Sequence, residues 1–223
     1  MINLPQRPRR NRKNSTIRSL IQENSVTVND LIFPLFLTEG KNKRSEISSM
    51  PNIYRYSSDL LLKEIESCLK LGLNTFCLFP SLNDKLKDKK ATESLNKKGL
   101  YPSTIKEIKK RFPEAIIMTD VAMDPYSSDG HDGFVKNGQI LNDETLDILA
   151  KMAIVQAEAG ADIIGPSDMM DGRVGYIREA LDDNGFTDVS IMSYTAKYAS
   201  AFYGTFRDAL DSAPKFGDKK TYK

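Results

Sequence analysis

Two cysteines and one histidine are all that 223 residues offer to soft metals or disulfide chemistry. Cys68 falls in a helix-like segment and Cys77 in an apolar, strand-like run. They lack metal-ligand spacing and read as small core residues of a reducing compartment. No G-x-G-x-x-G or P-loop follows any strand-like run, which weakens a nucleotide-binding reading. Apolar runs such as 31–37 (LIFPLFL) are far too short to span a bilayer, and the basic N-terminus lacks the apolar core of a secretion signal. An excess of one charge is missing too. With 32 Lys+Arg against 30 Asp+Glu, no global field argues for nucleic acid or membrane. The expectation is a soluble, cytoplasmic protein with neither partner.

One local asymmetry remains. Arg7, Arg9, Arg10, Arg12 and Lys13 crowd the N-terminus, and no acidic residue precedes Glu23. No aromatic residue is interleaved for base stacking, so the stretch reads as an arm lying on a neighbouring subunit or on the domain's own flank. Residues 1–28 are expected to form this extended arm and 29–223 a single catalytic domain.

Beyond the arm, strand and helix signals alternate. The apolar run 31–37 reads as a strand buried on both faces. Ser57, Ser58 and Asp59 supply N-cap residues for a helix over 60–71, with Leu61, Leu62, Ile65 and Leu69 at helical spacing and a stop at Gly72. A strand over 75–79 closes at Pro80, a basic helix over 104–112 ends at Pro113, and a third strand covers 115–119. Asn142 caps a helix over 143–159 that stops at Gly160. A strand over 162–166, a helix over 173–181 and a strand over 189–194 complete the series. Five strand–helix units in a row imply an α/β fold with a parallel sheet. A TIM barrel fits better than a doubly wound sheet, because Asp120, Ser167, Asp168 and Lys197 all fall at C-terminal strand ends and would converge on one mouth. A (β/α)8 barrel has three further strands, and only 26 residues follow Lys197. The barrel is therefore expected to be partial, ending after about five to six strand units.

The densest chemistry lies in 120–133, DVAMDPYSSDGHDG. Asp120, Asp124, Asp129 and Asp132 sit among turn residues directly after an apolar run. Carboxylates this close repel unless a cation or an acid–base task offsets the repulsion; the alternative is a solvated acidic loop. The lone histidine, His131, reads as a structural hydrogen-bonder. Downstream, Lys197 stands in an aromatic stretch, SYTAKYASAFYG. Burial there disfavours its charged form, and a neutral amine attacks ketones to give a Schiff base. A lysine snorkelling to water with its stem on aromatic rings is the competing reading.

These segments resemble the porphobilinogen synthase (5-aminolevulinate dehydratase) family, over essentially the whole chain. The resemblance is carried by RPRRNRKN, LIFPLFLTEG, DVAMDPYSSDGHDG, GPSDMMDGRV, SYTAKYASAFYGTFRDA and GDKKTY. It implies a barrel lyase that condenses two 5-aminolevulinate molecules into porphobilinogen in tetrapyrrole and haem biosynthesis. Lys197 matches the first of the family's two Schiff-base lysines; the second lies in a later segment with no counterpart here. Arg207 and Lys219 match a basic pair that holds a substrate carboxylate, with Lys219 where arginine is frequent. Asp120 and Ser167 match residues that orient the substrate amine and assist proton transfer, and Tyr194 and Tyr203 match pocket aromatics. Lys223 stands where glutamine is more usual.

One branch of the family places three zinc-binding cysteines at positions that are Ala122, Asp124 and Asp132 here. Zinc is therefore not expected, while oxygen ligands at Asp124 and Asp132 favour a magnesium-like ion or a monovalent cation, or no tightly held metal. The resemblance implies a magnesium-dependent, zinc-independent homo-octamer, with magnesium acting mainly at a separate allosteric site. Other readings are a generic Schiff-base lyase of the aldolase type and an inactive fragment or non-catalytic oligomer partner. Activity of the chain alone is expected to be negligible.

Overall fold

The computed structural model describes residues 5–223 except 196, 201, 202, 213 and 216, and leaves aside the side chains of 206 and 207. Two compact units divide at Leu31 and Ile32. The first contains a 3-10 turn, Pro8–Arg12, the short helix α1, Ser15–Leu20, and a second 3-10 turn, Val28–Asp30. Asn14 caps α1 by accepting from the Ile17 N–H, and Thr27 with Asp30 forms a capping box. Extended structure is thus interrupted by capped turns, and none of the three elements buries a side chain.

The second unit is wound around a sheet. Its strands are β1 (Phe33–Thr38), β2 (Arg44–Ile47), β3 (Met50–Tyr56), β4 (Thr75–Ser81), β5 (Ile116–Val121), β6 (Phe134–Lys136), β7 (Gln139–Leu141), β8 (Ile163–Pro166) and β9 (Ser190–Ile191). The helices are α2 (Ser58–Lys70), α3 (Leu100–Arg111), α4 (Asn142–Ala159), α5 (Arg173–Asp183) and α6 (Gly204–Leu210). In the main sheet the order is β2-β3-β1-β4-β5-β8-β9, parallel throughout except for the β2–β3 hairpin. From β1 to β9 the strands add in one direction. A doubly wound sheet would reverse its order at a switch point; a barrel does not.

Both sheet faces are covered. Leu35 and Leu37 of β1, Phe76 and Leu78 of β4 and Ile117 of β5 pack under α2 and α3, with Leu61, Ile65, Ile105 and Ile108. Val121 and Ile164 pack under α4 and α5. The alternate residues Phe36, Cys77, Phe79 and Met118 face the other way and meet Ala209 and Leu210 of α6. This two-sided burial is why the strands read as unbroken apolar runs.

Several boundaries differ from the sequence reading, each for a physical reason. β4 continues through Pro80, because its pairing with β1 persists (Leu37↔Pro80) after the ladder to β5 stops at Leu78↔Thr119. α3 begins at Leu100 rather than 104: Pro102 sits in the first turn, where its missing N–H would have had no intrahelical partner. Asn142 is not the cap of α4. Leu141 holds that position, and the Asn142 side chain instead pairs with the Asp171 backbone. The strand expected over 189–194 keeps only Ser190–Ile191 as ladder, although Met192 and Tyr194 still donate to Ile164 and Pro166 carbonyls. The β2–β3 and β6–β7 hairpins were not foreseen, being too polar and short for an apolar signal.

Candidate active site

Asp120 is the penultimate residue of β5, inside the strand rather than after it. Its main chain is held at both ends: the N–H donates to the Tyr101 hydroxyl at 3.2 Å and the carbonyl accepts from Gln156 Nε2 at 3.0 Å. Tyr101 in turn donates to the Leu78 carbonyl at 2.6 Å. On the neighbouring strand Gly165 pairs with Asp120. A Cβ at Gly165 would lie 2.6 Å from Met118 Cε and 2.8 Å from the Thr119 carbonyl oxygen, so only glycine admits this approach. Inward-facing Asp120 is thus set by rigid strands, not by a loop.

Its carboxyl looks into a cavity of about 710 Å3 whose wall includes Lys197, Ser167, Tyr194, Tyr203 and Cys77. Lys197 Nζ donates to the Ser167 carbonyl at 2.7 Å and lies 5.6 Å and 5.7 Å from the ring centres of Tyr194 and Tyr203. Five residues singled out from sequence therefore share one wall. Burial pushes the Asp120 carboxyl up to about 6, against the pull of Lys197 and the Ser167 hydroxyl, while Asp124 and Asp132 add to the rise. A group titrating there holds its proton in slightly acidic solution and releases it near neutrality. It is suited to move protons beside an amine. Cys77 was read as core, and it is buried; its thiol, pushed up by burial, also lines this cavity.

The acidic loop is not a solvated one. Asp124, His131 and Asp132 are all buried. Asp124 Oδ2 accepts from the Ser212 hydroxyl at 2.9 Å and from Lys219 Nζ at 3.2 Å, and Asp132 Oδ1 accepts from Lys219 Nζ at 2.8 Å. Lys223 pairs with Asp132 Oδ2 and donates to the Tyr203 hydroxyl. Burial alone would raise the Asp124 carboxyl, but the Lys219, Lys223 and Lys197 ammonium groups hold it below the usual range. The same carboxylates keep Lys219 above an ordinary lysine despite its burial. Lys223 goes the other way: burial, with Lys197 and Lys219 nearby, brings its amine down to about 7. His131 Nδ1 shares a hydrogen bond of 3.1 Å with the Tyr222 hydroxyl, a structural contact.

Two expectations meet a different geometry here. Lys219, read as a substrate-carboxylate ligand, sits among the loop carboxylates and is not on the wall of the Lys197 cavity. Asp124 and Asp132, read as ligands for a cation, already hold ammonium groups. Among the described residues no group of three or more His, Cys, Asp or Glu side chains converges. A divalent ion does not fit this pair, because it would have to displace buried cations from the same oxygens. The Arg207 side chain lies outside the described residues.

The fold has close counterparts. The family model for delta-aminolevulinic acid dehydratase matches residues 5–223. The chain belongs to the delta-aminolevulinic acid dehydratase family. It is 54% identical to the chloroplastic delta-aminolevulinic acid dehydratase of Oryza sativa subsp. japonica over 224 residues, covering all of this chain and 52% of that protein. It is 52% identical to the Bradyrhizobium diazoefficiens dehydratase, covering 63% of that protein. A crystal structure of the dehydratase (porphobilinogen synthase) from Toxoplasma gondii ME49, in complex with the reaction product porphobilinogen, superposes with a TM-score of 0.97. That chain is 51% identical, and 64% of it is covered. The chain thus spans between about half and two thirds of the length of these relatives.

Within this dehydratase family fold, the parallel sheet is a TIM-barrel sheet and its C-terminal strand ends form the mouth. Sequence reasoning missed Tyr101 and Gln156, which hold the Asp120 backbone from α3 and α4. Nothing in spacing or composition marks a buried tyrosine or glutamine as a brace for a strand on another element. No described helix is long and apolar enough to cross a membrane.

Proposed function

We propose that this chain carries the first of the two Schiff-base lysines of a porphobilinogen-forming site, with Lys197 as the nucleophile and 5-aminolevulinate as substrate. The observation that carries the reading is the single cavity shared by Lys197, Asp120 and Ser167, walled by Tyr194 and Tyr203. Membership of the family supports it, as does the porphobilinogen complex of the Toxoplasma gondii relative.

In this mechanism the free amine of Lys197 adds to the ketone carbon of one 5-aminolevulinate, and loss of water gives an iminium. The ketone oxygen leaves as water after taking up two protons, one shed by the adding amine nitrogen and one from an acid. Asp120, whose carboxyl burial pushes up to about 6, is proposed to deliver the latter and to accept another when the iminium is deprotonated at the adjacent carbon. The iminium is an electron sink, so the bond to a second substrate forms with less charge build-up. Arg207 is proposed to hold the substrate carboxylate. Lys219 would share that task only on leaving Asp124 and Asp132.

No step runs through a metal at Asp124 and Asp132. The magnesium implied by the family resemblance is proposed for a site apart from this pair. A homo-octameric whole protein is proposed on the same basis; Leu20 and Val26 of the first unit, 78% and 82% exposed, offer apolar surface to a neighbour. Two free, buried thiols suit a reducing compartment such as the cytoplasm.

The test is covalent trapping. Borohydride reduction in the presence of 5-aminolevulinate is expected to leave a stable adduct on Lys197, located by peptide mass mapping. Lys197→Ala should abolish it. An adduct of undiminished yield in that variant removes Lys197 from the role.

A further inference from the structure

Lys197 stands in a stretch with little regular structure. β8 and β9 share only two register pairs, Ile163↔Ser190 and Ile164↔Ile191. Two more backbone bonds extend the ladder, the last from the Tyr194 N–H to the Pro166 carbonyl at 3.2 Å. Three residues later comes Lys197, and residues 195–200 form no strand or helix in their described part. A nucleophile on such a segment needs an anchor, since an error of about an ångström in a reacting atom costs on the order of a hundredfold in rate.

The anchor is a guanidinium. Arg173, the first residue of α5, donates from Nη2 to the Tyr194 carbonyl at 2.6 Å and to Ser193 Oγ at 3.3 Å, and from Nη1 to the Met170 carbonyl at 3.1 Å. Tyr194 is thereby gripped on both sides, its N–H by β8 and its carbonyl by Arg173. The guanidinium is set by Asp168, whose side chain has no exposed surface and whose Oδ2 lies 3.7 Å from Arg173 Nε. Both of those buried atoms lack a hydrogen-bond partner; burial pushes the Asp168 carboxyl up to about 7, against the pull of the Met170 N–H and the Arg173 guanidinium. Asp168 Oδ1 accepts from the Met170 N–H at 2.7 Å, across Met169, which has a left-handed φ of 71°. That turn follows directly on Ser167, whose carbonyl receives Lys197 Nζ. The contacts close a ring: Ser167, Asp168, Arg173, Tyr194, Lys197 and back to Ser167.

We infer that Arg173, oriented by Asp168, is a positioning residue that fixes where the Lys197 amine stands, by tying the loop after β8 to the segment after β9. Arginine is suited to this because its planar fork reaches two carbonyls on different segments at once; a lysine ammonium on a flexible stem does not hold both in one plane. The inference rests on Lys197 being the reactive amine.

The experiment is borohydride trapping of 5-aminolevulinate in the intact protein, read as a rate against substrate concentration. In Arg173→Lys and Arg173→Met the maximal trapping rate at Lys197 is expected to fall at least tenfold, with half-saturation changed less than threefold, because the substrate carboxylate is proposed to bind at Arg207 and not at Arg173. Asp168→Asn, which keeps an acceptor for the Met170 N–H, should show a smaller loss of the same kind. Circular dichroism and the thermal midpoint identify any variant that does not fold. Where Arg173→Met fails, Arg173→Lys decides, and where that fails too, Asp168→Asn does. A folded Arg173 variant with a wild-type maximal rate overturns the inference, as does a change confined to half-saturation. If the wild-type protein gives no Lys197 adduct at all, the functional reading fails instead. The brace is then judged by reductive 13C-methylation of Lys197, whose NMR signal should move and broaden in Arg173→Lys; an unchanged signal overturns it.

Discussion

Lys219 Nζ lies 2.8 Å from Asp132 Oδ1, and neither side chain reaches solvent. The two residues are 87 positions apart, so this ion pair fastens the C-terminal segment to the loop after β5. Removing one member of a buried pair leaves an uncompensated charge, which costs about 3–5 kcal/mol. Lys219→Met is expected to lose that much stability in urea unfolding. Adding Asp132→Asn to it should recover part of the loss, because the two sites share one interaction. A loss under about 1 kcal/mol in Lys219→Met would mean that the pair is solvated, contrary to its burial.

Asp120 should make stability depend on pH in a direction opposite to most carboxylates. Its value of about 6 in the folded protein lies above the ordinary 3.8, so the folded state binds this proton more tightly than the unfolded state does. Its contribution is fully present below 3.8 and is lost as the pH rises through about 6. Above that, the buried anion costs on the order of 2–3 kcal/mol. Asp120→Asn is therefore expected to gain stability relative to wild type between pH 4 and 6 and to hold a constant advantage above it. Urea melts at several pH values read this directly, and a flat difference across the range would contradict it.

Gly165→Ala should be costly although it adds one methyl group. Met118 Cε can swing away, but the Thr119 carbonyl, 2.8 Å from the new Cβ, belongs to the paired β5 backbone. Forcing the two strands apart is expected to cost about 1–3 kcal/mol in the thermal or urea midpoint. Shortening Met118 in the same chain should not restore it.

Tyr101→Phe tests whether the strand that carries Asp120 is held from α3. The change removes the acceptor for the Asp120 N–H and the donor to the Leu78 carbonyl, both buried. Stability should fall by about 1–3 kcal/mol. The borohydride trapping rate at Lys197 is expected to fall as well if Asp120 moves protons there. Unchanged trapping in a destabilised variant would confine Tyr101 to a structural role.

Much of this was legible in the sequence, and the reason is local. The strands β1, β4, β5 and β8 and the helices between them announced themselves because a strand buried on both faces must be apolar throughout, and a helix on a sheet must repeat its apolar face every three to four residues. The meeting of Asp120 and Ser167 at one cavity was legible because polar residues at the ends of such runs fall at a barrel mouth, whereas Lys197 lies six residues beyond β9 and reaches that cavity from a stretch whose described residues form no strand or helix. The β2–β3 hairpin left no comparable trace: Arg44–Ile47 and Met50–Tyr56 bury only Ile47 and carry no continuous apolar run. The start of α3 was hidden by Pro102, since a proline in the first turn and one that ends a helix look alike in a bare sequence.

Residue order alone determined the alternation of strands and helices, the strand ends that carry Asp120 and Ser167, and the family to which the chain belongs, because each rests on short-range pattern. Which charges meet was decided only in three dimensions. Asp124 and Asp132 receive ammonium groups from residues 87 to 95 positions away, and Arg173 reaches across two segments to Tyr194. A buried carboxylate takes the cation that the folded chain brings within reach, and no rule of spacing states in advance which one that will be.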